Sequence, residues 1–284
     1  MSGSSGVREG GESVGAQLQR RGWALVRLSE AGRAAAAAGL EAASSAAAPP
    51  PESAPAADAY YGVHRSGERV TWFVREKGDG TVEPAPNSVA AQHFRALRED
   101  CIGILTSVAA DLSGAPNVVA ALTGLVGRSM EFRPASQSNS YWSIMKYGGE
   151  TAVLAEHVDQ SLLTLAPFTQ HGLEVLDLER FEFVDPQAGM KEGGPDAVVL
   201  VGETLEAATG GRLCATTHRV QCPASPRDGA RTSCPFFLFA GPGATLRPAL
   251  FDTANRTPKP EQDATAFVAR CRAAKGSAVY GGAN

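Results

Sequence analysis

Neither sign of charge is in excess in this chain: 26 basic and 30 acidic residues leave a formal net charge of −4. The basic field that nucleic-acid binding calls for is missing, so no nucleic-acid partner is expected. Long apolar runs are missing too. No stretch approaches the roughly 20 apolar residues that cross a bilayer, and the opening Met1-Ser-Gly-Ser-Ser-Gly6 lacks the apolar segment of a secretory leader. A cytoplasmic protein without a membrane partner is expected. Cysteine is sparse: Cys101, Cys214, Cys222, Cys234 and Cys271 form no CxxC pair and no zinc-like spacing. An odd number of scattered thiols reads as reduced cysteines acting as small hydrophobes rather than as disulfides or redox pairs.

At 284 residues the chain is long enough to bury a large core. Residues 1–16 are glycine- and serine-rich and read as a disordered tail. A mixed region follows over 17–128. Within it Trp23–Leu28 and Arg69–Val74 read as strands, and alanine-dense Ala31–Ala48 reads as a helix that fails at Pro49-Pro50-Pro51. From Val89 to Leu125, Phe94, Leu97, Cys101, Ile104, Leu105, Val108 and Leu112 recur at three- and four-residue steps. That spacing predicts one long helix with an apolar core stripe.

From about Phe132 the texture changes to short apolar runs between Gly, Pro and Asp turns. Tyr141–Tyr147, Leu162–Leu165, Leu173–Leu176, Phe181–Val184, Ala197–Val201, Thr217–Cys222 and Thr232–Phe239 are strand-like. Such spacing implies an antiparallel sandwich or barrel, with its topology left open. The organisation expected is a β-rich core over 129–250 and a C-terminal segment, lid or helix, over 251–284. The fold class is α+β, mainly β with flanking helices.

Only five histidines are present, which makes the placement of two of them informative. His157 and Asp159 are separated by one residue, and His218 follows 59 residues after Asp159. On a strand, residues i and i+2 share a face, so His157 and Asp159 can reach one ion. Two imidazoles and a carboxylate occupy one face of an octahedral iron(II) and leave three positions open. An isolated HxD is weak evidence by itself. Here it is continued by Ser161-Leu-Leu-Thr-Leu165, Gly172-Leu-Glu-Val175, Gly202-Glu-Thr-Leu-Glu206, Thr217-His-Arg-Val220 and Arg231-Thr-Ser233. His64, His93 and His171 have no ligand-like neighbours and read as structural or surface groups.

In this order the motifs resemble the isopenicillin N synthase-like branch of the 2-oxoglutarate/iron(II) dioxygenases, over roughly residues 130–247. The resemblance implies a double-stranded β-helix, or jelly roll, in which the strands carrying His157 and His218 lie on opposite sides of the barrel mouth. It implies Fe(II), held by His157, Asp159 and His218, with 2-oxoglutarate and O2 as co-substrates and ascorbate as a reductant. Arg231 and Ser233 share a strand face, and a guanidinium fork with a hydroxyl suits the distal carboxylate of 2-oxoglutarate. The alternative for Arg231 is a buried salt bridge to an acid of the domain.

Tyr147 matches the tyrosine that relatives use for the co-substrate. Met145 departs from the family, standing where an asparagine is expected, and makes the pocket more apolar. Phe237 either stacks on the substrate or belongs to the core. Segments near Tyr60-Tyr61 and after Pro248 could close over the site.

The activity implied is hydroxylation, desaturation or cyclisation of a small molecule by a monomeric enzyme, with release of succinate and CO2. Three other readings stay open: an iron oxidase that does not use 2-oxoglutarate, an idle ligand-binding protein on the same scaffold, and a zinc hydrolase. The last would lack a neighbouring HExxH base and leave Arg231 and Ser233 unused.

Overall fold

The computed structural model describes residues 12–45, 62–66, 69–76, 82–83, 89–126, 140–148, 154–168, 171–188, 190, 193–221, 231–241, 243–251 and 260–275. Tyr60-Tyr61, Cys222, the Pro49–Pro51 break and residues 1–11 of the expected tail lie outside them. Residues 14–16, assigned above to that tail, instead open helix α1 (Val14–Arg21). The Ser13 hydroxyl accepts from the Ala16 amide, and Gly22 ends the helix at φ 81°, a backbone state that glycine adopts without a Cβ clash. Val14 and Leu18 bury one side of this short helix in the core.

Strand β1 (Trp23–Val26) follows, then α2 (Glu30–Ser45), β2 (Gly62–Ser66), β3 (Arg69–Glu76) and β4 (Val82–Glu83). The predicted Val89–Leu125 helix is two helices, α3 (Ala91–Ser113) and α4 (Pro116–Gly124). Gly114 (φ 59°) turns the chain, and Pro116, which has no amide hydrogen to donate, is accommodated only in the first turn of a new helix. All the predicted stripe residues of α3 are buried.

The β-rich part contains β5 (Tyr141–Tyr147), β6 (Leu154–His157), β7 (Leu163–Pro167), β8 (Leu173–Asp177), β9 (Glu182–Val184) and β10 (Ala197–Val201). After α5 (Glu203–Ala208) come β11 (His218–Val220), β12 (Arg231–Ser233), β13 (Phe236–Leu238), β14 (Thr245–Leu246) and β15 (Gln262–Asp263), and then α6 (Ala264–Lys275). The single Thr232–Phe239 strand expected above is divided into β12 and β13, because Pro235 cannot donate to a ladder.

A nine-stranded antiparallel sheet runs β1-β10-β7-β13-β5-β3-β2, with β12 also on β5 and β4 on β3. It reaches outside residues 129–250 at both edges. A four-stranded sheet, β6-β11-β8-β9, faces it. Strands β3, β5, β7 and β10 of the large sheet divide their side chains by parity. Val70, Trp72, Trp142, Ile144, Leu165 and Val199 belong to the main core with α2 and α3. The alternate residues point the other way, where Tyr147, Val198 and Leu200 pack with Val175 and Val220 of the small sheet.

The alanine-rich segment acquires a packing role from this arrangement. Gly39 of α2 lies so close to Trp142 that a Cβ there would stand 2.3 Å from the indole ring. Small residues let the helix settle against the sheet. No helix among the described residues is long and apolar enough to cross a membrane.

Candidate active site

His157 ends β6, His218 begins β11, and the two are direct register partners. This corrects the expected placement on opposite sides of the barrel mouth: they stand on adjacent strands of the small sheet. Directly opposed residues of an antiparallel pair have Cβ atoms about 5 Å apart, and here the ring centroids are separated by 4.2 Å.

Each imidazole is fixed by its own backbone. His157 Nδ1 lies 2.7 Å from the Ala155 carbonyl, and His218 Nδ1 lies 3.0 Å from the Thr216 carbonyl. A carbonyl only accepts, so both Nδ1 atoms carry the hydrogen. In that tautomer the lone pair of each ring is on Nε2, the atom turned toward Asp159.

Asp159 lies two residues beyond His157, in a turn rather than on the strand. Its Oδ1 is 3.7 Å from His157 Nε2 and its Oδ2 3.7 Å from His218 Nε2. One ligand atom from each of the three residues falls within 4.8 Å of the others. Two imidazoles and a carboxylate converging in this way fit a divalent ion with open positions.

Asp159 is held by a structure that the sequence reading passed over. Thr164 Oγ1 donates to Asp159 Oδ2 at 2.6 Å. Having given up its only hydrogen, Thr164 accepts from Ser161 Oγ at 3.0 Å. The main chain of the turn is pinned by the β10–α5 corner. The Glu203 amide donates to the Asp159 carbonyl (2.8 Å), the Thr204 amide to the Ser161 carbonyl (3.2 Å) and the Thr204 hydroxyl to the Gln160 carbonyl (2.6 Å). The Gly202-Glu-Thr-Leu-Glu206 motif therefore serves as a brace for the carboxylate. Thr164→Val, nearly isosteric but without the hydroxyl, is expected to weaken metal binding about 10–100-fold. Chelator competition measures the loss, and circular dichroism should show an intact fold.

Across the cavity, β12 pairs with β5 in the register Arg231↔Tyr147 and Ser233↔Met145. All four side chains line one cavity with His157, Asp159 and His218. The cavity opens to solvent. Arg231 is 8% exposed, and its guanidinium carbon lies 5.0 Å from the centre of the Tyr147 ring. Its Nε donates to the His171 carbonyl at 3.4 Å. Arg231 Nη1 and Ser233 Oγ are buried and meet no hydrogen-bond partner among the described residues. The salt bridge considered above for Arg231 is not found among those residues. Tyr147 donates its hydroxyl to Met145 Sδ at 3.5 Å.

Gly172 (φ 122°) lets this arrangement close, since a Cβ there would lie 2.4 Å from the Gln221 carbonyl oxygen and 3.3 Å from Arg231 Nε. The next conspicuous residue, Glu174, binds Arg219 at 2.6 Å. It flanks the cavity rather than lining it.

Phe237 lines the cavity and stacks on Tyr141, with centroids 4.6 Å apart, while Phe73 meets Tyr141 edge-on at 5.5 Å. Phe73, Thr71 and Arg69, which no motif in the sequence singles out, extend the same wall on β3. The available signal was the period-two alternation of Arg69, Thr71 and Phe73 with apolar Val70, Trp72 and Val74. The other imidazoles behave as expected where they are described. His93 Nδ1 accepts from the Ala90 amide (3.3 Å), and exposed His171 pairs with Asp185 (2.5 Å).

No protein-family model and no curated relative matches the sequence. Solved structures do match. A 2OG-Fe(II) oxygenase family protein from Caulobacter crescentus superposes with a TM-score of 0.68 at 19% identity, over 91% of this chain and 92% of that one. The rice dioxygenase for auxin oxidation gives 0.61 at 21% identity, over 95% and 93%. A full-length Neurospora crassa protein in complex with α-KG and 5-formyluracil gives 0.63 at 15% identity, over 91% and 89%. The fold is therefore that of the 2-oxoglutarate/iron(II) oxygenases, with the jelly-roll core inferred from the sequence.

Proposed function

We propose that this chain is a non-haem iron(II)- and 2-oxoglutarate-dependent dioxygenase acting as a monomer on a small organic molecule. The observation that carries the reading is the pair of buried, unpartnered polar atoms, Arg231 Nη1 and Ser233 Oγ, in the same cavity as the His157–Asp159–His218 cluster. A buried donor without an acceptor costs about 1–3 kcal/mol, and more when charged. A ligand carboxylate offers what both atoms lack.

His157, Asp159 and His218 would hold the metal. The chemistry that an iron(II) ion supplies there is oxidative decarboxylation of 2-oxoglutarate by O2 to succinate and CO2, with the second oxygen atom or its oxidising equivalents delivered to substrate. Arg231 and Ser233 bind the distal carboxylate, fixing the co-substrate's direction in the cavity. Tyr147 walls the guanidinium from one side. Met145 takes the tyrosine's hydroxyl hydrogen and fills with a thioether the place where relatives carry an amide. Apolar walls around this polar line keep water from the reacting groups. The neighbouring Neurospora crassa structure holds α-KG together with 5-formyluracil, and a JOX2 structure holds 2OG, Fe and JA, so this fold accommodates a co-substrate and an organic molecule together. Hydroxylation, desaturation and cyclisation are all within its reach.

An anaerobic titration of metal-free protein with iron(II) and then 2-oxoglutarate tests the reading. A visible charge-transfer band is expected, absent in His157→Ala and weakened in Arg231→Ala. Iron binding without the band would favour an oxidase that does not use 2-oxoglutarate. The specific observation behind that second reading is the Tyr147 hydroxyl, which is directed to Met145. No metal binding would sink both.

A further inference from the structure

The cavity holds a second cation for which the co-substrate gives no account. Arg69 begins β3 and is the register partner of Tyr147 on the side away from Arg231. Arg231, Tyr147 and Arg69 therefore form one row across three strands, and all three line the cavity. Arg69 Nε is buried, with no partner among the described residues, and no carboxylate among those residues pairs with the side chain. A guanidinium nitrogen buried without an acceptor is costly, and an anion entering beside it would supply one.

Arg231 already serves one carboxylate. Residues two strands apart in a sheet have Cα atoms roughly 10 Å apart, and Tyr147 stands between the two arginines in the row. Arg69 thus lies one strand further from Arg231 than Tyr147 does, on the β3 side of the cavity. From Arg69 that side runs along β3 past Thr71 and Phe73 to the aromatic group of Tyr141 and Phe237. Phe237 is itself the register partner of Thr164, the residue bonded to Asp159. The path has a cation at one end, an aromatic wall along it and the metal ligands at the other.

We propose that Arg69 anchors the carboxylate of an organic acid whose apolar or aromatic body lies along Phe73, Tyr141 and Phe237. This substrate class rests on the dioxygenase reading for what is done to the molecule, but not for how it is bound. Four residues of strand separate Arg69 from Phe73, about 13 Å. The body therefore extends well away from the carboxylate, and oxidation falls on a carbon several bonds from it. Arg69 supplies specificity: a guanidinium binds a carboxylate bidentately with charge assistance, and it has no acceptor to offer a carboxamide's hydrogens.

The test uses matched acid–amide pairs: phenylacetate, 3-phenylpropanoate, hexanoate and octanoate against their carboxamides. Binding is measured by calorimetry on the full chain, both metal-free and anaerobically loaded with iron(II) and 2-oxoglutarate. Wild type is expected to bind at least one acid ten or more times more tightly than its amide. Arg69→Gln should erase that preference, and Arg69→Lys, which keeps the charge, should retain part of it. Affinity for 2-oxoglutarate, read from the charge-transfer band, should change less than twofold in both variants.

The proposal is overturned if no acid outbinds its amide, or if the preference survives in Arg69→Gln. It is also overturned if Arg69→Gln costs tenfold in 2-oxoglutarate affinity with acid binding intact, because the arginine would then belong to the co-substrate. Failure of the band to appear at all would instead count against the dioxygenase reading, and the metal-free acid–amide comparison would still decide the role of Arg69.

Discussion

Arg231→Ala is expected to raise the 2-oxoglutarate concentration for half-saturation about 100-fold, with a much smaller effect on iron affinity. The size follows from what is removed. A bidentate, charge-assisted pair in a site shielded from water is among the stronger polar contacts, and a factor of 100 corresponds to about 2.7 kcal/mol. Arg231 is well suited to this because its geometry is set before any ligand arrives. Nε is bonded to the His171 carbonyl, the guanidinium stands beside the Tyr147 ring, and Gly172 keeps a Cβ out of its way. Arg231→Lys should recover only a small part, because an ammonium is a point charge without the fork. Succinate release against 2-oxoglutarate concentration, together with the charge-transfer titration, separates the two affinities. An unchanged half-saturation point would mean that the co-substrate lies elsewhere.

Gly202→Ala is expected to be the more damaging change, although Gly202 touches neither metal nor ligand. A Cβ at that position would lie 2.0 Å from the Ser161 carbonyl oxygen and 2.7 Å from Ser161 Oγ. Both belong to rigid parts of the turn. The clash can be relieved only by parting β10 from the Asp159–Ser161 turn, which breaks the bonds made by Gly202, Glu203 and Thr204 amides. Overpacking of this kind costs about 1–3 kcal/mol, and a lost metal site adds to it. A lower melting temperature, with loss of the rise that iron(II) gives the wild type, is the expected outcome. A variant that melts like wild type and still gains stability from iron would show that the brace is dispensable.

The candidate metal ligands and the arginine arm proposed for the co-substrate are legible in the sequence because they are local or ordered: one HxD, one later histidine, one Arg-x-Ser. Which strands carry them is not. The register that sets His157 opposite His218 arises from long-range pairing, and no spacing along the chain encodes it. Breaks were missed where a single proline outweighed a continuing apolar pattern. Pro116 divides a helix whose stripe runs on, and Pro235 divides a strand whose aromatics run on. Thr164 and Gly202 could be quoted as motif letters but not understood, since their effect depends on a contact between β7, β10 and the turn after β6. Arg69 escaped notice because an arginine at the start of an apolar run looks like a solvated strand end until β5 is found beside it.

Strand β3 carries two separate sets of instructions, one on each parity. Val70, Trp72 and Val74 are committed to the core beneath the helices, while Arg69, Thr71 and Phe73 line the cavity, Phe73 also packing with Tyr141 and Phe239. Mutational drift at Arg69 and Thr71 can therefore change which molecule is accepted with little effect on whether the chain folds. Drift on the even positions is constrained by the packing of α2 and α3. Divergence in substrate among proteins of this architecture has a ready physical route: a strand can vary at the cavity positions that carry no packing while its core positions hold the fold.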